Sequence, residues 1–207
     1  TGNTVIDALN YSIAKLESYH SEELEILKEL CKAGKRIILV TGHRRENHGD
    51  GFLSICKALK SIADKNNDVT IIYPVHLNPN VRKPVFDLLK GITNISLIEP
   101  LSYPSFVWLM NRSYIIISDS GGIQEEAPSL GKPVLVIRDT TERPEAVDAG
   151  TVILVGTNAE EIVKQTQILL DDESKYDKMS GLINPYGDGK ACDRIIRHMI
   201  SLNTLDK

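Results

Sequence analysis

Short aliphatic runs recur along the chain, separated by longer stretches in which apolar residues return every three or four positions. The runs predict strands at Arg36–Thr41, Val69–Tyr73, Ile95–Ile98, Tyr114–Ser118, Pro133–Ile137 and Val152–Val155. They are apolar almost throughout rather than alternating, which is the pattern of strands covered on both faces. Between them, Phe52–Ala63 places Leu53, Cys56, Leu59 and Ile62 along one helical face, and Asn158–Leu170 carries a similar stripe with Asn158 as its N-cap. The two ends read differently. Thr4–Leu16 and Ser21–Lys32 predict helices with no strand between them, as do Ser174–Ser180 and Ala191–Leu202 around the turn-rich Asn184–Gly189. The alternation predicts one α/β domain: a Rossmann-like parallel sheet with helices on both faces and helical extensions at each end. Right-handed crossovers then gather the strand-to-helix loops at one sheet edge, where ligands bind.

Five loops at that edge carry the candidate chemistry. The first, Gly42-His-Arg-Arg-Glu-Asn-His-Gly49, sets two arginines and two histidines directly after a buried strand. Forked guanidinium donors and directional imidazoles suit an anion; a solvated charged loop has the same composition. In the second, Pro74–Asn80, His76 sits between two prolines. A structural histidine is the commoner outcome for such a residue. The third, Glu99–Phe106, leads into a helix beginning near Phe106 and Trp108, whose rings fit either a flat base or the core.

The fourth loop, Ser118-Asp-Ser-Gly-Gly-Ile-Gln-Glu-Glu126, follows a strand and opens a helix. Ser120, Gly121 and Gly122 would present free backbone N–H groups at that opening, a phosphate-binding arrangement. Glu125 and Glu126 lie one turn deeper, where a carboxylate can accept two ribose hydroxyls. An ordinary capped helix shares the Ser and Asp, but two adjacent glycines are costly in a mere cap. The fifth loop, Arg138–Glu145, adds Arg138 and Arg143. Convergence of these groups on one crevice points to a diphosphate ligand.

Composition narrows the field. The 207 residues carry a net charge of −4, against a nucleic-acid surface. No apolar run is long enough for a membrane helix, and no secretion signal is visible; a start without Met suggests that something lies upstream. Three scattered cysteines, Cys31, Cys56 and Cys192, fit a reducing cytoplasm better than a disulfide framework. No G-x-G-x-x-G follows the first strand, and no P-loop, nucleophile elbow or metal-spaced His/Cys set occurs, so no metal or cofactor is expected.

The blocks His43–Asn47, Tyr73–Pro79, Ser118–Pro133, Arg138–Glu145 and Asn184–Gly189 together resemble the bacterial and archaeal non-hydrolysing UDP-N-acetylglucosamine 2-epimerases, with Ser118–Pro133 the most specific. The resemblance runs from Thr1 to the final helix. It implies one half of a two-domain glycosyltransferase-B architecture: residues 1–207 as the C-terminal UDP-binding domain, opening on an interdomain helical segment. The family's N-terminal domain, which carries the acid/base carboxylates, has no counterpart in these residues. The implied reaction interconverts UDP-GlcNAc and UDP-ManNAc by elimination of UDP across C1–C2 and re-addition with inversion at C2.

By the same resemblance His43 stabilises the leaving group, and His43, Ser120, Gly121, Gly122 and Arg143 hold the diphosphate. Glu126 binds the ribose, and Leu101 and Phe106 border the uracil. Arg44 and His76 match positions at which some bacterial members bind a second UDP-GlcNAc as an activator. A homodimer is implied for the full-length protein, while an isolated 1–207 chain is expected to bind UDP without epimerising it. Two other functions fit the same crevice: the donor domain of a UDP-sugar glycosyltransferase, and a non-catalytic UDP-sugar-binding module.

Overall fold

The computed structural model describes residues 1–32 and 34–205. Two helices, α1 (Thr4–Lys15) and α2 (Glu22–Cys31), precede the first strand, β1 (Arg36–Thr41). Strand and helix then alternate through α3 (Asp50–Lys65), β2 (Val69–Pro74), α4 (Pro79–Leu89), β3 (Ile95–Ile98), α5 (Tyr103–Arg112) and β4 (Ile115–Ser118). The chain continues through α6 (Gly121–Glu126), β5 (Val134–Val136), α7 (Pro144–Asp148) and β6 (Val152–Leu154) to α8 (Ala159–Asp171), α9 (Glu173–Ser180) and α10 (Ala191–Leu205).

All neighbouring strands pair in parallel, in the order β3-β2-β1-β4-β5-β6. The order reverses between β1 and β4, so the loops leaving these two strands diverge and open a crevice at the carboxyl edge. Each sheet face has its own apolar layer. Ile38 and Val40 of β1 pack with Phe52, Leu59 and Ile62 of α3, Val81 and Val85 of α4 and Ile162 of α8. Ile37 and Leu39 face the other way, onto Leu9 of α1, Leu24 and Leu27 of α2 and Val107 of α5. Burial on both sides explains the unbroken apolar strand runs, each buried Ile or Leu contributing roughly 1.5–3 kcal/mol.

Asn158 accepts the Glu161 N–H at 3.0 Å as the N-cap of α8, as the sequence predicts. Four details depart from expectation. Leu53 is 39% exposed; the buried face of α3 runs instead through Phe52, Ile55, Cys56, Leu59 and Ile62, because the helix starts at Asp50 and its apolar stripe is broader than one i, i+3 ladder. The helix α4 is an addition: Val81, Val85 and Leu89 form its stripe, and Pro84, which breaks one internal hydrogen bond, disguises it. The helix α5 starts at Tyr103, three residues before Phe106, with Pro104 in its first turn. Strand ends are shorter: Tyr114, Ile137 and Val155 lie outside β4, β5 and β6, although their N–H groups still bond to Ile37, Ser118 and Val136 of the adjacent strands.

The terminal helices are tied to each other and to the crevice. Asp7 of α1 accepts N–H bonds from Ala191 and Cys192 and so caps α10, and these donors hold its carboxyl below the usual range. Asn3 donates from Nδ2 to Glu125 Oε2 at 2.5 Å, and Asn184 donates to the Glu125 carbonyl at 2.7 Å. No helix among the described residues is long and apolar enough to cross a membrane.

Candidate functional site

Loop β1–α3 starts under tight constraint. The Tyr73 hydroxyl donates to the Gly42 carbonyl at 3.2 Å, and a Cβ at Gly42 would stand 3.1 Å from that hydroxyl oxygen and 3.4 Å from Phe52. A side chain there would have to displace the Tyr73 hydroxyl by a few tenths of an ångström, and glycine avoids that crowding. Burial pushes the Tyr73 phenol well above its ordinary range, keeping it a donor. Beyond Gly42 the chain is pinned by Asp119, at the end of β4. Its Oδ2 accepts the N–H groups of His43 and Arg44, each at 2.8 Å, and Asn47 Nδ2 at 3.4 Å. One wholly buried carboxylate thus joins the two loops that flank the switch point.

The Ser120–Gly122 turn begins where Asp119 ends. Ser118 Oγ accepts the Ser120 N–H at 3.0 Å, and the Ser120 carbonyl accepts Gln124 N and Gln124 Nε2. Gly121 and Gly122 sit in the first turn of α6, where backbone N–H groups have no intrahelical acceptor. Gly122 is exposed and Gly121 is covered by Arg143: a Cβ at Gly121 would lie 3.8 Å from the Arg143 guanidinium carbon and Nη2.

Loop β5–α7 delivers that arginine. Thr141 Oγ1 donates to Gln124 Oε1 at 2.6 Å and accepts the Arg143 N–H at 3.0 Å, tying the loop to α6. Arg143 Nε donates to Glu125, which also holds Asn3. Glu126 turns elsewhere and accepts the Tyr103 hydroxyl at 2.6 Å. Burial raises the Glu126 carboxyl above the usual carboxylate range, the Tyr103 hydrogen bond opposes that rise, and neighbouring Glu125 adds to it.

The structure therefore brings His43, Ser120, Gly121, Gly122 and Arg143 to one place. The His43 side chain is 45% exposed, its Nδ1 3.3 Å from Asp119 Oδ1 and its ring stacked on His76 with centroids 5.5 Å apart. Arg44 Nη1 lies 3.8 Å from Glu142 on the same rim, so Arg44 and His76 both border the crevice. Leu101 and Phe106 are half-buried against the apolar layer of α1, α2 and α5, while Trp108 belongs to that layer, with Arg112 over its ring. One expectation fails. Arg138 brings no free charge to the crevice; it is 4% exposed and enclosed by Glu46 and Glu142.

Sequence reasoning missed three participants. Asp119 read as part of a cap, although an acid ending an apolar central strand is itself a signal. Tyr103 as a donor to Glu126, and Asn3 as a donor to Glu125, left no local signal, since each contact joins distant segments.

This arrangement defines a doubly wound α/β protein whose polar crevice at the switch point is lined by backbone N–H groups, an arginine and a histidine. The sequence profile described as UDP-N-acetylglucosamine 2-epimerase matches residues 1–200, and the chain belongs to that family. UDP-N-acetylglucosamine 2-epimerase of Campylobacter jejuni is 58% identical over 205 residues, spanning 97% of this chain and 54% of that protein. The crystal structure of UDP-GlcNAc 2-epimerase from Neisseria meningitidis bound to UDP-GlcNAc superposes with a TM-score of 0.87 at 50% identity, covering 97% of this chain and 54% of that one. The co-structure of S. aureus MnaA with UDP gives 0.89 at 44% identity, covering 99% and 54%. The chain spans about half the length of the curated relatives it matches.

Proposed function

We propose that this chain is the C-terminal, UDP-gripping half of an enzyme that interconverts UDP-GlcNAc and UDP-ManNAc by eliminating and re-adding UDP. The observation that carries the reading is the meeting of His43, Arg143 and the Ser120–Gly122 turn at the β1/β4 switch point. In the elimination the C1–O bond breaks, its electron pair leaves with UDP, and C2 loses a proton. Negative charge grows on the departing phosphate oxygen, and prearranged donors aimed at it lower the barrier. Arg143 supplies a guanidinium, His43 an imidazole, and Gly121, under Arg143, and the exposed Gly122 supply backbone N–H groups. Glu126 receives the ribose hydroxyls, and Leu101 and Phe106 border the uracil. Arg44 and His76 belong to a neighbouring activator site for a second UDP-GlcNAc.

The groups that move the C2 proton belong to an N-terminal domain, the chain's partner across the crevice. The half-length coverage supports that partner, as do the exposed apolar Ile196, Met199 and Leu202 of α10. We place the complete protein in the cytoplasm as a homodimer serving polysaccharide synthesis, the three unpaired cysteines supporting a reducing compartment.

Calorimetric titration with UDP tests the reading. The chain should bind UDP, and His43→Ala and Glu126→Ala should each weaken binding. No heat at millimolar UDP would refute the function; unchanged affinity in both variants would refute the site.

A further inference from the structure

We infer that Asp119 is a positioning residue for His43: it holds the proton of the neutral imidazole on Nδ1 and leaves Nε2 as the nitrogen that meets the diphosphate. The inference deepens the proposed function, since it takes His43 as a phosphate donor.

Asp119 is 0% exposed, at the end of the central strand β4. Its two oxygens have unlike surroundings. Oδ2 accepts two backbone N–H bonds at 2.8 Å. Oδ1 is buried and has no hydrogen-bond partner. His43 Nδ1 stands 3.3 Å away, inside ion-pair distance yet off the line of a hydrogen bond. A buried carboxylate oxygen without a donor is costly, and a modest swing of the half-exposed ring supplies one. Catalytic hydrogen bonds commonly tighten in this way when substrate is bound.

The consequence is chemical. A carboxylate accepts only, so it selects the tautomer with hydrogen on Nδ1. Nε2 then carries the lone pair, and a proton it binds from solvent is shared in a charge-assisted bond with a phosphate oxygen. His76, stacked on the same ring, shows the opposite arrangement: its Nδ1 accepts the Asn78 N–H at 3.1 Å, which leaves its hydrogen on Nε2. Two adjacent histidines thus both leave Nε2 free but in opposite tautomers, a lone pair on His43 set by a carboxylate and an N–H on His76 set by a backbone donor.

Nitrogen NMR of the chain labelled with [15N]histidine reads the tautomer directly, with the His43 signals identified by their loss in His43→Ala. Hydrogen on Nδ1 of the neutral His43 ring is expected; hydrogen on Nε2 would overturn the inference. Asp119→Asn keeps one oxygen for the two backbone donors and turns an amide toward Nδ1. It should move the ring hydrogen to Nε2 and lower affinity for UDP, relative to uridine, about tenfold. In a His43→Ala background the same change should be nearly silent. Equal losses in both backgrounds would mean that Asp119 acts only as a loop staple and would also overturn it. The tautomer is measured without UDP, so this inference and the proposed function fail on different results.

Discussion

The two ends of the loop between β5 and α7 carry one arginine each, and the fold uses them in opposite ways. Arg138, at the strand end, is 4% exposed; Nε donates to Glu46 at 2.5 Å and Nη1 to Glu142 at 2.5 Å. Arg143, five residues on, has a side chain 35% exposed, engages Glu125 through Nε, and lies over Gly121. Two carboxylates enclose the first guanidinium, so it is a strut joining the β1 and β5 loops. One carboxylate holds the second by a single edge and leaves Nη2 against the glycine turn. In a crevice built from backbone loops, what matters is which cation keeps unclaimed N–H donors, rather than how many cations the sequence brings there.

The sharpest way to break this contrast is to truncate each arginine. Arg143→Ala should weaken UDP binding between roughly tenfold and a hundredfold, the range of a charged hydrogen bond, and also lower stability, because it strips the buried Glu125 of its cation. Equal losses of UDP and uridine affinity would remove Arg143 from the phosphate. Arg138→Ala should instead cost about 2 kcal/mol of stability in urea unfolding while UDP affinity moves less than about threefold.

Acid sharpens the strut further. Arg138 holds the Glu142 carboxyl down to about 2. A depressed folded value stabilises above the unfolded carboxylate pKa of about 4.3 and is lost as pH falls through the folded value. The stability gap between the parent chain and Glu142→Gln should therefore be widest near neutrality and shrink between about pH 4 and pH 2. A gap that persists at the acid end would show that the pairing is not the cause. The smallest effect concerns Glu126, whose carboxyl burial raises. Uridine, which has no phosphate to titrate, should bind less tightly as pH falls through a window above the usual carboxylate range, and Glu126→Gln should abolish that dependence.

The fold was legible because its signals are local. The apolar runs of β1, β2 and β4 lie buried on both faces, and Asn158 caps α8 through a bond three residues away. The phase of α3 was misread at Leu53 because four apolar positions do not fix the edge of a stripe that seven buried residues share. The helix α4 was hidden by Pro84. At the site, the loops and their glycines could be read, but the pairing could not. Arg138 meets Glu46 across 92 positions of sequence, and Tyr103 reaches Glu126 across 23. Asp119 stood in plain view beside Ser120, yet burial decides whether such an acid caps a helix or locks two loops, and burial emerges only when β1 and β4 pair.

The central claim is that the Ser120–Gly122 turn, with His43 and Arg143 beside it, holds the diphosphate. Amide NMR of the chain titrated in parallel with UDP and with uridine tests it most directly. The account predicts that UDP displaces the Ser120, Gly121 and Gly122 amide signals strongly while uridine leaves them almost in place. Saturable UDP binding that moves those three amides no more than uridine does would contradict it.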